Sequence, residues 1–426
     1  MNYETNAASR RTTYGAALAL VLAAAPAMAG SDAKIAIEEP PANNGDWCTW
    51  LKSKPGTIYK NKENSIIQEV GFFGRLQYQQ SWIDGESGGN DFWYDSEGEF
   101  RRLRIGAYVK FLDLFQLKAN ADMARDSRPK GGSLHLSYQN LYEAQLTFNA
   151  QKAFNIASHS KFTLGFGKSK IKLSSESIAS SKKIKTIERS AIANKLLPTN
   201  LTGFWLDAQT GKISYYLGVF STVRHNEIAG WDMGRLYTGR LGYDFTSSTS
   251  FDKAVATAGF IYADHENSSD STIGFDWAAS AAVEIKQGRA NLLANVLWGE
   301  NRDDASAVKN RRDGDFWGVV IMPTYWITPN RLEAVLRYQY AHASSVNGLR
   351  LNSRYARNAG EIEQENIGTL RSGRGDEHHS LYLGLNYYFC GDNSKIMAGV
   401  EWDDMSADGS EVFEGFTYSL AYRMYF

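Results

Sequence analysis

The sequence predicts a transmembrane antiparallel β-barrel of about 16 strands, and three observations carry the prediction. The run from Phe416 to the terminal Phe426 alternates Phe416, Tyr418, Leu420, Tyr422, Met424 and Phe426 with Thr417, Ser419, Ala421, Arg423 and Tyr425, the period of a strand with one apolar and one polar face. From Val70 onward, alternating segments of about ten residues are joined by connections that are in turn short and long, the rhythm of a single barrel domain. The chain holds 23 Tyr, 21 Phe, 11 Trp and 38 Gly against 8 Pro, at a mean hydropathy of −0.40. After the N-terminal leader, no stretch approaches the roughly 18 consecutive apolar residues of a spanning helix. Strands that alternate between lipid and a watery lumen look polar on average while lying in a membrane. A soluble β-protein of this length would normally divide into domains, and no linker interrupts residues 66–426.

The elements follow in order. Residues 1–29 read as a secretory signal peptide: Arg10 and Arg11 supply the positive end, the stretch from Tyr14 to Ala25 is apolar, and Ala27-Met28-Ala29 precedes the cleavage point. Residues 30–65, with Pro40-Pro41 and Trp47-Cys48-Thr49-Trp50, lack strand alternation and form an N-terminal periplasmic extension. In the first barrel strand Phe72, Gly74, Leu76, Tyr78 and Trp82 oppose Phe73, Arg75, Gln77 and Gln79; in the second Leu103, Ile105, Ala107 and Val109 oppose Arg102, Arg104, Gly106 and Lys110. A tight turn at Leu112-Asp113-Leu114 leads to a third strand with Lys118 on its polar face. Further short turns are expected near 149–160, 210–211, 246–252, 286–289, 328–330 and 391–393, and long connections near 125–139, 170–203, 221–233, 264–271, 299–313, 343–376 and 406–411. Both ends then lie on the periplasmic side, as an even-stranded bacterial barrel requires.

The formal charge of −1 covers 46 Lys+Arg and 47 Asp+Glu, and loss of Glu4, Arg10 and Arg11 with the leader makes it one unit more negative, which excludes a nucleic-acid binder. Cys48 in the extension and Cys390 in a short turn both fall on the periplasmic side, where a Cys48–Cys390 disulfide would tie the extension to the barrel rim; the alternative is two free thiols in an oxidising compartment. Gly167-Lys168-Ser169 resembles the end of a phosphate-binding loop, but Phe162 stands where its first Gly belongs and a strand surrounds it. His378 and His379 fall on opposite faces of one strand, and no Ser/His/Asp grouping has supporting spacing. The reading is a non-enzyme with no metal and no cofactor.

The connection at 170–203 is basic: Lys170, Lys172, Lys182, Lys183, Lys185, Arg189 and Lys195 face only Glu176 and Glu188. Folded into the lumen, these cations would stand where ions pass; as an external loop they would touch lipopolysaccharide. Arg75, Arg102, Arg104, Lys118, Arg240, Arg337 and Arg423 share the inward parity of their strands and could hand an oxyanion from fork to fork. Alternatively they pair with Asp122, Asp207, Glu333 and other inward carboxylates.

Phe100-Arg101-Arg102-Leu103-Arg104-Ile105-Gly106 resembles the R-R-x-R-x-G strand of the phosphate-selective porin O and P family. Gly167-Lys168-Ser169-Lys170, Ser180-Ser181-Lys182 and Glu188-Arg189-Ser190 resemble its stretch entering the third loop, and Tyr216 to Phe220, Gly234-Arg235-Leu236 and the closing strand are further echoes. The resemblance spans roughly 66–426. It implies a homotrimer of 16-stranded barrels, each with an inward third loop, passing small anions such as phosphate or polyphosphate, with Arg102 and Arg104 on the wall and Lys182 and Arg189 on the loop. A dense single arginine ladder is not evident here. Phe426 resembles the terminal aromatic recognised by the barrel-assembly machinery. The expectation is an outer-membrane, anion-preferring diffusion channel set in lipid and lipopolysaccharide; the alternatives are a general channel for small hydrophilic solutes and an adhesive barrel whose loops, especially 343–376, bind surface partners.

Overall fold

The structure is a computed structural model that describes residues 47–95, 98–124, 136–156, 160–196, 200–231, 234–265, 271, 273–302, 314–351, 353–357 and 373–426. The expected signal peptide, the first part of the extension and much of the connections at 125–139, 299–313 and 343–376 lie outside the described residues.

Sixteen strands close into one antiparallel barrel. They are β1 Ile67–Ser87, β2 Glu99–Phe111, β3 Phe115–Ala124, β4 Leu136–Asn149, β5 Ser160–Lys170 and β6 Asn200–Thr210. Next come β7 Ile213–Ser221, β8 Arg235–Asp244, β9 Lys253–Asp264, β10 Phe275–Gln287 and β11 Ala290–Asn301. The barrel is completed by β12 Asp315–Thr328, β13 Leu332–Ala343, β14 Glu377–Tyr388, β15 Ser394–Ala407 and β16 Ser410–Tyr425. Each pairs with its sequence neighbours, and β16 closes on β1 with Arg75 opposite Tyr425 and Glu86 opposite Glu414. Closure leaves every wall strand paired on both sides, which an aqueous edge could not supply within lipid.

Alternation sorts the side chains as the sequence dictates. Phe72, Ile105, Leu117, Phe204, Leu383 and Leu420 are exposed on the outer surface, whereas Gln77, Gln79, Arg102 and Arg104 are buried inside. Phe426 exchanges backbone hydrogen bonds with Gly74 at 3.3 Å, and its ring occupies the space where a Cβ on Gly74 would sit. The C-terminal residue is thereby built into the seam of the barrel.

One expected long connection is absent. Asp408 and Gly409, with φ of 50° and 71°, make the β15–β16 connection a two-residue turn in place of a loop over 406–411. Asp-Gly between two strands favours this backbone geometry, and the polar residues around it are strand residues. At the opposite end of the scale, β1 runs on to Ser87 and the chain returns against it at Asn90–Asp95.

Below Arg75, β16 no longer covers the edge of β1. The short strand Thr57–Lys60 takes its place, with Tyr59 opposite Val70 and Lys60 opposite Glu69, so a strand edge is not left open. Helix α1, Trp47–Lys52, precedes it. Cys48 in α1 is bonded to Cys390, with Cα atoms 5.1 Å apart. The extension is thus fastened by a covalent bond and by a strand pairing. Replacing both cysteines by serine should leave the barrel assembled but let trypsin cleavage after the exposed Lys52 release the N-terminal fragment, read by mass spectrometry; retention of the fragment would mean that the non-covalent contacts of α1 hold it without the disulfide.

The barrel is not an open tube. Ile171, Leu173, Ile192 and Leu196 from the β5–β6 connection form one buried cluster with Phe220 and Phe316 of the wall. Each such side chain taken fully out of water contributes roughly 1.5–3 kcal/mol, enough to hold a loop inside the lumen. The described part of the β13–β14 connection also turns inward: Leu349, Leu351, Tyr355 and Ala356 are buried, and the Tyr355 hydroxyl donates to Glu99 at 2.7 Å. Those four side chains are therefore packed inside, while Val346 of the same connection is exposed.

Candidate solute pathway

The third loop connects β5 to β6 and crosses the lumen. Its first leg lies along β8 and β9. Thr238 donates to the Lys172 carbonyl at 3.4 Å and Ser175 meets Thr257 at 3.1 Å, while a Cβ on Gly259 would strike the Leu173 carbonyl at 2.7 Å. Two short helices stiffen it, α2 Ser175–Ile178 and α3 Ala191–Lys195, each capped by a serine. The Glu176 carboxylate accepts from the Ser190 amide at 2.7 Å and hydroxyl at 2.6 Å, closing the loop on itself.

Between the helices the chain is irregular, so its carbonyls need donors from elsewhere. The opposite wall supplies them. Arg423 of β16 donates to the carbonyls of Ser181, at 3.1 Å, and Ile187; Gln77 of β1 also reaches Ser181 at 3.0 Å. Lys395 of β15 reaches Ile184 at 3.1 Å, Asn386 of β14 reaches Lys185 at 2.8 Å, and Arg337 of β13 reaches Glu188 at 2.8 Å. The loop is laced to five adjacent strands.

This arrangement divides the sequence-predicted residues into two groups. Arg337 and Arg423 are fully buried and spend their donors on loop carbonyls; Arg337 also pairs with Glu401. Arg189 donates to the carbonyls of Glu176 at 3.0 Å and Ala179 at 2.6 Å. Lys185 pairs with the buried Glu333 at 2.7 Å. These four are anchors of the constriction and do not offer free charge to a passing ion. Arg104 and Lys118 stand between the groups, paired with Asp122 at 3.2 Å and Glu143 at 2.8 Å, Arg104 also lying 3.2 Å over the Tyr142 ring.

The second group lacks carboxylates. Arg75 donates to Ser181 Oγ at 2.5 Å and Ser180 Oγ at 3.4 Å, Arg102 to Gln77 at 2.7 Å, and Lys170 to the Ala179 carbonyl at 3.1 Å. Lys182 rests 3.9 Å over the Tyr425 ring and Lys183 is exposed. Among the described residues none of these five has a carboxylate partner. Arg240 lies apart, on β8.

Sequence parity missed Arg101. A bulge sets Arg102 opposite Gln77 but Phe100 opposite Tyr78, so Arg101 is the extra residue and turns inward to grip Glu188 at 2.6 Å. Adjacent arginines at 101 and 102 were the available signal, since a regular strand cannot bring both to one face. His378 and His379 do separate, the first meeting Asp403 and Gln339 inside at 2.9 Å, the second Tyr338.

Burial, reinforced by Arg75, Lys183 and Lys118 and opposed by Asp392, lowers the Lys182 ammonium to about 8. It therefore carries its charge below that pH and loses it above. Anion-over-cation permeability should fall between about pH 7 and 9, and Lys182→Arg should flatten the profile; an identical decline in that variant would assign the titration to another group.

The sequence profile of the phosphate-selective porin O and P family matches residues 70–412. No curated protein sequence matches the chain. Among solved structures, the outer membrane channel DcaP of Acinetobacter baumannii is 14% identical, with a TM-score of 0.51 over 86% of this chain and 99% of that one. The anion-selective porin from Comamonas acidovorans is 9% identical, with a TM-score of 0.53 over 83% and 99%. Pseudomonas putida OprB is 10% identical, with a TM-score of 0.51 over 84% and 94%. At these identities the structures show the shared barrel fold, while the profile match spans most of the chain. This protein is a bacterial outer-membrane channel and belongs to the phosphate-selective porin O and P family.

Proposed function

We propose that the channel is a passive, anion-preferring pore that takes small oxyanions, phosphate among them, past the third loop. The observation that carries the reading is the charge of Arg75, Arg102, Lys182 and Lys183 on one side of that loop, none of them with a carboxylate partner among the described residues. Guanidinium forks and ammonium groups exchange an anion's hydration for charge-assisted bonds, and the loop crossing the lumen keeps the field close to the ion. Serine hydroxyls at 180 and 181, already within reach of Arg75, supply the neutral donors that make each site weak enough to leave.

Planar-bilayer recording tests it. A chloride-to-potassium permeability ratio well above unity, with chloride current reduced by added phosphate, is expected. A ratio near unity without phosphate block would favour a general channel for small solutes, and the absence of conductance a structural barrel.

A further inference from the structure

The third loop is also held at a point that a proton can release. The first-turn amides of α3 need acceptors outside the helix ladder. Ala193 donates to the Ser190 hydroxyl at 3.3 Å, whereas Ile192 donates to Oε1 of Gln339 on β13 at 3.0 Å. On the next strand, Nδ1 of His378 lies 2.9 Å from Nε2 of Gln339, and Nε2 of His378 lies 2.9 Å from Oδ1 of Asp403 on β15. All three side chains are buried. A peptide N–H only donates, and that fixes the direction of the series. Oε1 of Gln339 is committed to Ile192, so Nε2 donates to a bare Nδ1, and the single ring proton sits on Nε2 and goes to Asp403. The bonded loop requires a neutral imidazole.

A proton added at Nδ1 sets two donors face to face. Gln339 relieves this by turning its amide over, which gives Oε1 to the imidazolium and points the NH2 group at the Ile192 amide. That amide is left without an acceptor, and Ile192, part of the buried cluster under the loop, loses its bond to β13. The far end of the series gains: Oδ2 of Asp403 is buried with no hydrogen-bond partner, and an imidazolium gives this carboxylate an ion pair in place of a neutral donor. We propose that Gln339 and His378 form an acid-released latch on the third loop, in which protonation of the imidazole turns the Gln339 amide and frees the α3 end of the loop from β13. Arg423 and Lys395 still hold the middle of the loop, so the release is a swing of one end. Other charged groups on the packed elements are engaged elsewhere. Arg337 of β13 faces Glu401 of β15 and Glu176 of the loop, and Lys195 of α3 turns to Asn301 and the Gly348 carbonyl. Arg354 and Arg374 belong to the β13–β14 connection, the first paired with Glu99 at 3.0 Å. Glu377, His379 and Asp404 take the outward parity. A proton needs no cavity to reach the ring, only a brief opening of the Ile192–Gln339 contact.

The test is single-channel recording in potassium chloride at about pH 7 and about pH 5, a span in which histidine changes its charge and Lys182 stays charged. In the wild type a second, higher conductance level should gain about tenfold in occupancy on acidification, the effect of one orphaned buried amide. His378→Asn keeps an acceptor oxygen where Nδ1 stood and takes up no proton, so it should remain at the neutral-pH pattern throughout. Gln339→Glu, whose two oxygens serve Ile192 and an imidazolium together, should also lose the acid response, and Gln339→Leu should show the acid pattern at both values. Hydrogen exchange of the Ile192 amide, corrected for its intrinsic pH dependence, gives a readout in the wild type alone and should quicken about tenfold at the lower pH. The latch is overturned if wild-type conductance or corrected exchange is the same at both values, or if His378→Asn or Gln339→Glu keeps the acid response. Should a variant fail to assemble, the wild-type exchange decides.

Discussion

Replacing Arg337 by alanine is expected to release the third loop from the wall and to give the largest loss of barrel stability of any single lumenal substitution. The guanidinium is fully buried between Glu401 and the loop, where it serves the Glu188 carbonyl at 2.8 Å and Thr186 at 3.2 Å, with Glu176 at 3.8 Å. Removing one member of a buried ion pair leaves the other charge uncompensated, at a cost of about 3–5 kcal/mol. The loss falls on two structures at once: the wall, through Glu401 and its neighbour Ser380 at 2.7 Å, and the loop, through an orphaned carbonyl. Two measurements separate them. Thermal unfolding of the detergent-solubilised barrel should drop in the single variant, and single-channel conductance should rise as the loop loosens. In Arg337→Met/Glu401→Leu the orphaned carboxylate is gone, so stability should recover while conductance stays high. A single variant with wild-type conductance would show that the remaining anchors, Arg423 and Lys395, hold the loop without it.

This reassignment of Arg337 marks where the sequence stopped being readable. Period-two alternation located the strands, the closing run 416–426 and the inward parity of Arg75, Arg102 and Arg104, because strand geometry is local and lipid enforces it along the whole length of each strand. Parity says which face a side chain occupies, but not what meets it there. Arg337, Arg423 and Lys185 each take part in a bond between wall and loop, and the two residues of each pair lie some 150 to 240 positions apart in the chain. Arg101 escaped because a single bulge shifts parity by one, and the Asp408-Gly409 turn because polar strand ends resemble a loop. The inward packing of Tyr355 has no local signature at all. In each case the missing information is a contact between distant segments, which composition and period do not encode.

That division of labour among cations yields the second large expectation. Arg75→Gln/Arg102→Gln should abolish most of the anion preference while leaving stability near that of the wild type, and Arg423→Gln, which removes the same kind of charge, should do the reverse. Arg75 and Arg102 donate only to neutral serine and glutamine oxygens, so their loss strands no carboxylate. At about 6 Å from a monovalent ion, one charge is worth roughly 3 kcal/mol at an effective dielectric of 20 and under 1 kcal/mol in bulk water. A partly hydrated lumen lies between these limits, and about 1.4 kcal/mol per charge corresponds to a tenfold change in permeability ratio. Two charges then account for roughly a hundredfold before screening, and less at physiological salt, where the Debye length is about 8 Å. The Arg423 guanidinium is instead enclosed by the carbonyls of Ser181 and Ile187. It is shielded from the passing ion by the loop it holds, so its removal should lower the unfolding temperature and change selectivity little. If the double variant and Arg423→Gln shift the reversal potential alike per charge removed, selectivity comes from the summed charge of the lumen wall, and the separation of anchoring from conducting cations fails with it.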